Sequence, residues 1–149
     1  MALARAKASG ATEALFADTQ GRLSEGTGTN VFVVAEGRLM TPALSAGCLA
    51  GVTRALVLHL TAAPALAPTP ADTIPLPTTL APPTPAIEAD LPFDVLHHAD
   101  EIFLTSTTRD VQAVVELDGR KVGTGAIGPV TEAVRALFRQ RAAATPDPR

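Results

Sequence analysis

An α+β fold is expected for this chain: a meander of short β-strands packed with helices. Three observations lead to it. Apolar runs of four or five residues alternate with turn signals over the first forty residues. The stretches Leu49 to Ala62 and Val130 to Phe138 then repeat apolar residues at helical spacing. Between them a second set of strand-like runs ends in the hairpin signal Asp118-Gly119.

Each element has a local cause. Ala2 to Ser9 is Ala-rich with Arg5 and Lys7, which favours helix, and Gly10 stops it. Nothing precedes Met1 to begin that helix, so the chain is expected to enter in the middle of an element. Glu13 to Ala17 reads as a strand, Asp18 to Gly21 as a turn and Arg22 to Glu25 as the returning strand. Val31 to Val34 is a buried strand, turned by Glu36-Gly37 into Arg38 to Thr41. The result is a meander whose middle carries Glu25.

Pro42 to Gly47 is a loop, and Leu49 to Ala62 is a helix apolar on most sides and therefore buried. Eight prolines lie between Pro64 and Pro85. Their fixed φ angles and missing N–H groups argue for an extended, flexible, solvated insertion. Ile87 to Leu91 reads as a strand, and Pro92 to Ala99 as a short helix opened by proline. Glu101 to Thr105 and Val111 to Leu117 are strands. Val130, Val134, Leu137 and Phe138 mark one face of a last helix, and Thr145 to Arg149 is a frayed tail.

Composition narrows the function classes. With 149 residues the chain is one domain by length, and 46% hydrophobic residues allow a sizeable core. Aromatics are 3%, with no Trp or Tyr, so that core is built from Leu, Val, Ala and Ile. A formal charge of -3 supplies no basic field for nucleic acid. No apolar run approaches the length of a membrane span. Met1 to Phe16 lacks the continuous apolar stretch of a secretory signal, and Glu13 and Asp18 argue against an organelle-targeting peptide. Cys48 is the only cysteine, which excludes an internal disulfide and fits a cytoplasmic location.

Three segments carry chemistry. Ser24-Glu25-Gly26-Thr27-Gly28-Thr29-Asn30 sets one carboxylate among glycines and hydroxyls, directly before an apolar strand. Two glycines in three residues let another molecule approach the backbone, and Asn30 is able to orient neighbours. Read blandly, Glu25 is a solvated strand-end residue. Gly51-Val52-Thr53 opens a helix, where free N–H groups and a hydroxyl suit an anion; ordinary capping is the alternative. Arg54 is either a surface charge or an anion clamp.

Thr105-Ser106-Thr107-Thr108 ends an apolar strand and is either a strand edge or the rim of a crevice. Arg109 and Asp110, which follow, can pair with each other. A carboxylate and two hydroxyl-rich corners suit a ligand with a basic ring at one end and a phosphate at the other. No metal site is expected, because adjacent His97 and His98 point apart and no Cys or carboxylate stands at ligand spacing. His59 reads as a helix histidine and Cys48 as a packed small hydrophobe.

Taken in order, these segments resemble the fold-type IV pyridoxal-phosphate enzymes, which include branched-chain and D-amino-acid aminotransferases and 4-amino-4-deoxychorismate lyase. Gly21 to Phe32, Thr41 to Leu58 and Asp100 to Val114 carry the resemblance, and Leu3 to Asp18 is similar to the run before the glutamate motif. The resemblance implies a pseudo-barrel sheet packed with helices, as in the large domain of D-amino-acid aminotransferase-like enzymes. Glu25 matches the glutamate that bonds the pyridine nitrogen, which keeps the ring an electron sink. Val52 and Thr53 match the helix-start pair that binds the phosphate, and Thr107 the second phosphate contact; Gly51 and Ser106 beside them are counted with the cofactor residues. Asn30 falls within the glutamate motif and is counted with the cofactor residues. The amides of Thr107 and Thr108 are expected to meet the substrate carboxylate.

The resemblance also implies what the chain departs from. The family's Schiff-base lysine falls before Met1, so no catalytic residue is assigned; neither Lys7 nor Lys121 stands at its place. Residues 1–149 then read as the C-terminal, cofactor-binding domain, truncated at its N-terminus, with 64–85 as an insertion the family lacks. The implied activity is transfer of an amino group between an amino acid and a 2-oxo acid, or release of pyruvate from aminodeoxychorismate. Thr105 to Gln112 leans slightly toward the lyase. The implied full-length form is a homodimer, with no nucleic acid or membrane partner. The alternative is an inactive module that binds a phosphorylated ligand or an intact subunit.

Overall fold

The computed structural model describes residues 1–62 and 84–144. Within them the fold is α+β. Helix α1 (Ala2–Ala8) buries no residue and ends as expected before Gly10, whose φ is 82°. Strands β1 (Leu15–Ala17) and β2 (Leu23–Gly26) form an antiparallel pair of their own. Asp18 shapes the turn between them by accepting the Gln20 and Arg22 amides at 2.8 and 2.9 Å.

The main sheet has five strands in the order β5-β4-β3-β6-β7. These are β3 (Asn30–Ala35), β4 (Arg38–Pro42), β5 (Ile87–Ala89), β6 (Glu101–Ser106) and β7 (Asp110–Val114). All pairs are antiparallel except β4 with β5. The expected meander is therefore interrupted. Its two hairpins are present, but β3 takes β6 rather than β2 as its second neighbour. The Gly26 amide instead bonds Thr29 O at 2.7 Å, turning the chain out of one sheet and into the other.

Every residue of β3 is buried, because β3 is covered on both faces. Val31, Val33 and Ala35 pack with Leu23, Met40, Leu91, Leu96, Ile102 and Leu104. Phe32 and Val34 point to the other side, against Leu39, Phe103, Val57 and Val134. Phe32 and Phe103 are cross-strand partners whose rings stack at 4.8 Å. Phe32, Phe103 and Phe138 thus sit where two helices meet the sheet. Those helices are α2 (Val52–Ala62) and α3 (Pro129–Ala144).

Helix α2 begins three residues later than the apolar spacing implies, and Leu49 and Val52 are 74% and 76% exposed. Pro92 to Ala99 holds a 3-10 turn, Phe93–His97, instead of an α-helix. The second apolar run breaks after Val114 into a small hairpin, β8 (Glu116–Leu117) and β9 (Arg120–Lys121), with Asp118 and Gly119 both at positive φ as its tight turn requires. Of the expected proline-rich insertion, 64–83 lies outside the described residues, as does the tail 145–149. No helix among the described residues is long and apolar enough to cross a membrane.

Candidate functional site

Strand direction brings the three segments together. Asn30 and Thr105 are partners at the end of the β3–β6 ladder, so the start of β3 lies beside the end of β6. Strand β4 runs opposite to β3, so its end, and the loop leading to α2, reach the same edge of the sheet. There they enclose a cleft of about 200 Å³, lined by Glu25, Gly26, Thr27, Gly28, Thr29, Asn30, Leu49, Gly51, Val52, Thr53, Thr105, Ser106 and Thr107.

The carboxylate wall is braced. Glu25 Oε2 accepts the Leu49 amide at 2.9 Å, and Asn30 Nδ2 donates to Leu49 O at 2.8 Å. Two side chains, one from β2 and one from β3, thus grip the two polar groups of one loop residue. Among the described residues Glu25 Oε1 accepts nothing and remains available at the cleft. Asn30 is buried and committed to the loop, so it acts on the cleft by shaping it. Gly51 answers it: a Cβ there would stand 2.1 Å from Asn30 Oδ1. Gly26 is similarly required, since its Cβ would lie 2.2 Å from Thr29 Oγ1.

The second wall is the first turn of α2. Its first intrahelical bond runs from the Ala55 amide to Gly51 O, so the amides of Val52, Thr53 and Arg54 have no acceptor within the helix. Thr53 is buried at this end. Arg54 is neither a surface charge nor a clamp on the cleft. It is 4% exposed, donates from Nη2 to Pro42 O at 2.8 Å and to Glu88, and ties α2 to strands β4 and β5. Cys48 is also buried, its thiol donating to the carbonyls of Pro42 and Ala43. Burial pushes this thiol up from its ordinary pKa.

The hydroxyl wall ends β6. Thr105 is 1% exposed, and its Oγ1 is buried without a partner at the cleft lining. Thr107 lines the cleft; Thr108 does not, and its hydroxyl lies 3.3 Å from Ser106 Oγ. Ser106 Oγ also accepts the Arg109 amide at 3.1 Å.

Arg109 does not pair with Asp110. It reaches Glu13 at 3.4 Å, and the same carboxylate accepts the Ala14 and Thr27 amides at 3.0 and 3.1 Å and the Thr29 hydroxyl at 3.4 Å. Burial works to raise the Glu13 pKa, but the hydrogen bonds from Thr27 and Ala14 and the Arg109 charge outweigh it and hold the group below its ordinary value. Sequence reasoning missed Glu13 and Leu49. Nothing local distinguishes Glu13 from a solvated strand residue, and Leu49 read as helix core.

Lys7 and Lys121 are exposed and neither lines the cleft. His59, His97 and His98 are exposed too, and the described residues form no group of three metal-ligating side chains. A larger hollow of about 700 Å³ lies between α1, the 3-10 turn and β7–β8. Apart from Glu13 at its margin it contains none of the three segments.

Known proteins share this fold. Residues 1–117 match the model of the amino-transferase class IV family. The branched-chain-amino-acid aminotransferase of Pseudomonas aeruginosa is 34% identical over 138 residues, covering 93% of this chain and 39% of that protein. The branched-chain amino acid aminotransferase of Thermobaculum terrenum, solved in PLP-form, superposes with a TM-score of 0.77 at 28% identity, covering 96% of this chain and 41% of that one. The branched-chain aminotransferase of the archaeon Thermoproteus uzoniensis, solved with norvaline, gives 0.75 at 31% identity, covering 94% and 40%. The chain spans about two fifths of the length of the relatives it matches. Over that span sequence and fold agree, and the chain belongs to the amino-transferase class IV family.

Proposed function

We propose that this chain is the domain of a class IV aminotransferase that holds pyridoxal 5'-phosphate, and that the whole protein moves an amino group between an amino acid and a 2-oxo acid. One observation carries the reading. Three segments far apart in sequence meet at one cleft, with a carboxylate on one wall, the free amides of a helix start on the second and a hydroxyl-rich strand end on the third. The cofactor's chemistry suits that set: its ring withdraws electrons from the substrate α-carbon when the ring nitrogen is protonated.

The residues divide the work. Glu25, with Oε2 fixed by Leu49, presents Oε1 to the ring N–H and holds the proton there. Leu49 is an exposed apolar side chain at the cleft, placed to cover the flat face of a ring. The amides at the start of α2, with Thr53, take the phosphate, as the helix dipole favours. Ser106 and Thr107 supply the opposite wall. The Thr107 and Thr108 amides are assigned to the substrate carboxylate, Thr108 by its place in the turn.

The relatives' names favour transamination of branched-chain amino acids over pyruvate elimination. The amine that would bond the cofactor is not in the cleft of this chain, since neither lysine lines it. Equilibrium binding of pyridoxal 5'-phosphate tests the reading. Saturable binding that weakens about tenfold in Thr53→Ala, by loss of a hydroxyl at the anion, supports it. Absence of binding, or reduction with borohydride that fixes cofactor on Lys7, overturns the assignment.

A further inference from the structure

We propose that Glu13 and Arg109 are a positioning pair that holds the two rims of the cleft at a fixed separation. The inference rests on the cofactor reading of the cleft for its functional consequence, and on the geometry alone for its structural one. Glu13 stands outside the cleft lining, just before β1. Its carboxylate nevertheless fastens both rims. One rim is the loop that follows Glu25, held through the Thr27 amide and the Thr29 hydroxyl. The other is the turn that presents Thr107, held through the Arg109 guanidinium.

Packing encloses the Glu13 end of the link. The Glu13 side chain is 9% exposed, and a carboxylate so enclosed needs every partner it has. A Cβ on Gly26 would meet Glu13 Cγ and Cδ at 3.3 and 3.4 Å, so the loop lies directly on the carboxylate stem. Arg109 is tied at its other end as well, its amide bonded to Ser106 Oγ. Among the described residues no other ion pair crosses between these rims. The β3–β6 ladder joins them only at the floor, where Asn30 faces Thr105. Without the pair, Thr107 is free to drift relative to Glu25, and a ligand touching both pays for their realignment.

The test compares the full chain with Arg109→Gln, Glu13→Gln and the double variant, each checked for native far-UV dichroism. Hydrogen exchange is measured first, without ligand. Arg109→Gln is expected to speed exchange at Thr27 to Thr29, on the opposite rim, by about threefold or more. Dissociation of pyridoxal 5'-phosphate is measured second. Each single variant is expected to weaken binding by about five- to tenfold, and the double variant no further, because the two act as one unit. Faster exchange confined to 106–110, or additive losses in binding, overturns the pair. If the wild-type chain binds no cofactor, the reading of the cleft fails, and exchange on the far rim alone decides the clamp. If Glu13→Gln does not fold, Arg109→Gln carries both measurements.

Discussion

The Glu25 carboxylate holds the backbone amide of Leu49, 24 residues away, at 2.9 Å. This single bond joins the end of β2 to the loop before α2, and so sets the carboxylate wall against the helix start. It leaves Oε1 as the Glu25 oxygen without a partner among the described residues.

Glu25→Gln separates the two duties of the residue. Glutamine keeps an acceptor for the Leu49 amide but loses the charge that would hold a ring proton. The bond is exposed, so water replaces it cheaply, and stability should change by less than about 1 kcal/mol. Binding of pyridoxal 5'-phosphate should weaken by about tenfold or more, as expected when a charge-assisted bond is lost. Urea unfolding and equilibrium dialysis on the same protein check the two halves. Equal binding by the two proteins would remove Glu25 from the site.

Gly51→Ala should distort the cleft through Asn30. The new Cβ would press on Asn30 Oδ1, and the side chain would have to release Leu49 O. Overpacking of this kind costs about 1–3 kcal/mol. The same substitution in an Asn30→Ala background should cost much less, since the clashing atom is gone. Denaturant midpoints of the four proteins in this cycle give the coupling, and simple additivity would contradict the contact.

Much of this site was legible in the chain because its parts are local. Glycines at 26 and 51, a hydroxyl run after an apolar strand and a helix opening at Val52 each announce themselves within a few residues. What was not legible depends on long-range pairing. Nothing near Arg54 foretells Pro42 O and Glu88 as its partners, so it read as a surface or ligand charge. The break in the meander arose the same way: β6 outcompetes β2 for β3 because Phe103 and Ile102 offer apolar faces on both sides. Leu49 illustrates a third cause, since an apolar residue exposed in a loop carries the same period as one buried in a core.

Glu101 is a cap supplied from another element. It is 8% exposed and accepts the Val130 and Thr131 amides at 3.0 and 2.7 Å and the Thr131 hydroxyl at 2.6 Å. Gly128 leaves room for it, since a Cβ there would stand 2.1 Å from Glu101 Cδ. Glutamine has one oxygen for these three donors and would leave part of the α3 start unsatisfied. Glu101→Gln should cost about 1–3 kcal/mol. The loss should be seen by thermal unfolding, with cofactor binding unchanged because α3 does not line the cleft. A neutral result would mean that water caps the helix equally well.

Stability should depend on acid through Glu13. Its folded-state pKa lies below the ordinary 4.5, although burial opposes this, because hydrogen bonds and Arg109 favour the charged form. A depressed carboxylate stabilises the fold fully at pH values above its unfolded pKa, and the contribution fades as pH falls through the folded one. Glu13→Gln cannot titrate, so its disadvantage relative to wild type should be constant above about pH 5. The gap should then narrow steadily below pH 4.5, where the wild-type side chain takes up its proton. Asp18, held low chiefly by the Arg22 amide, titrates in both proteins and cancels from the comparison. Urea midpoints measured from about pH 7 down to about pH 3 trace the gap across that titration. A gap that stays constant across that range would show that Glu13 holds its partners by shape alone, with no contribution from its charge.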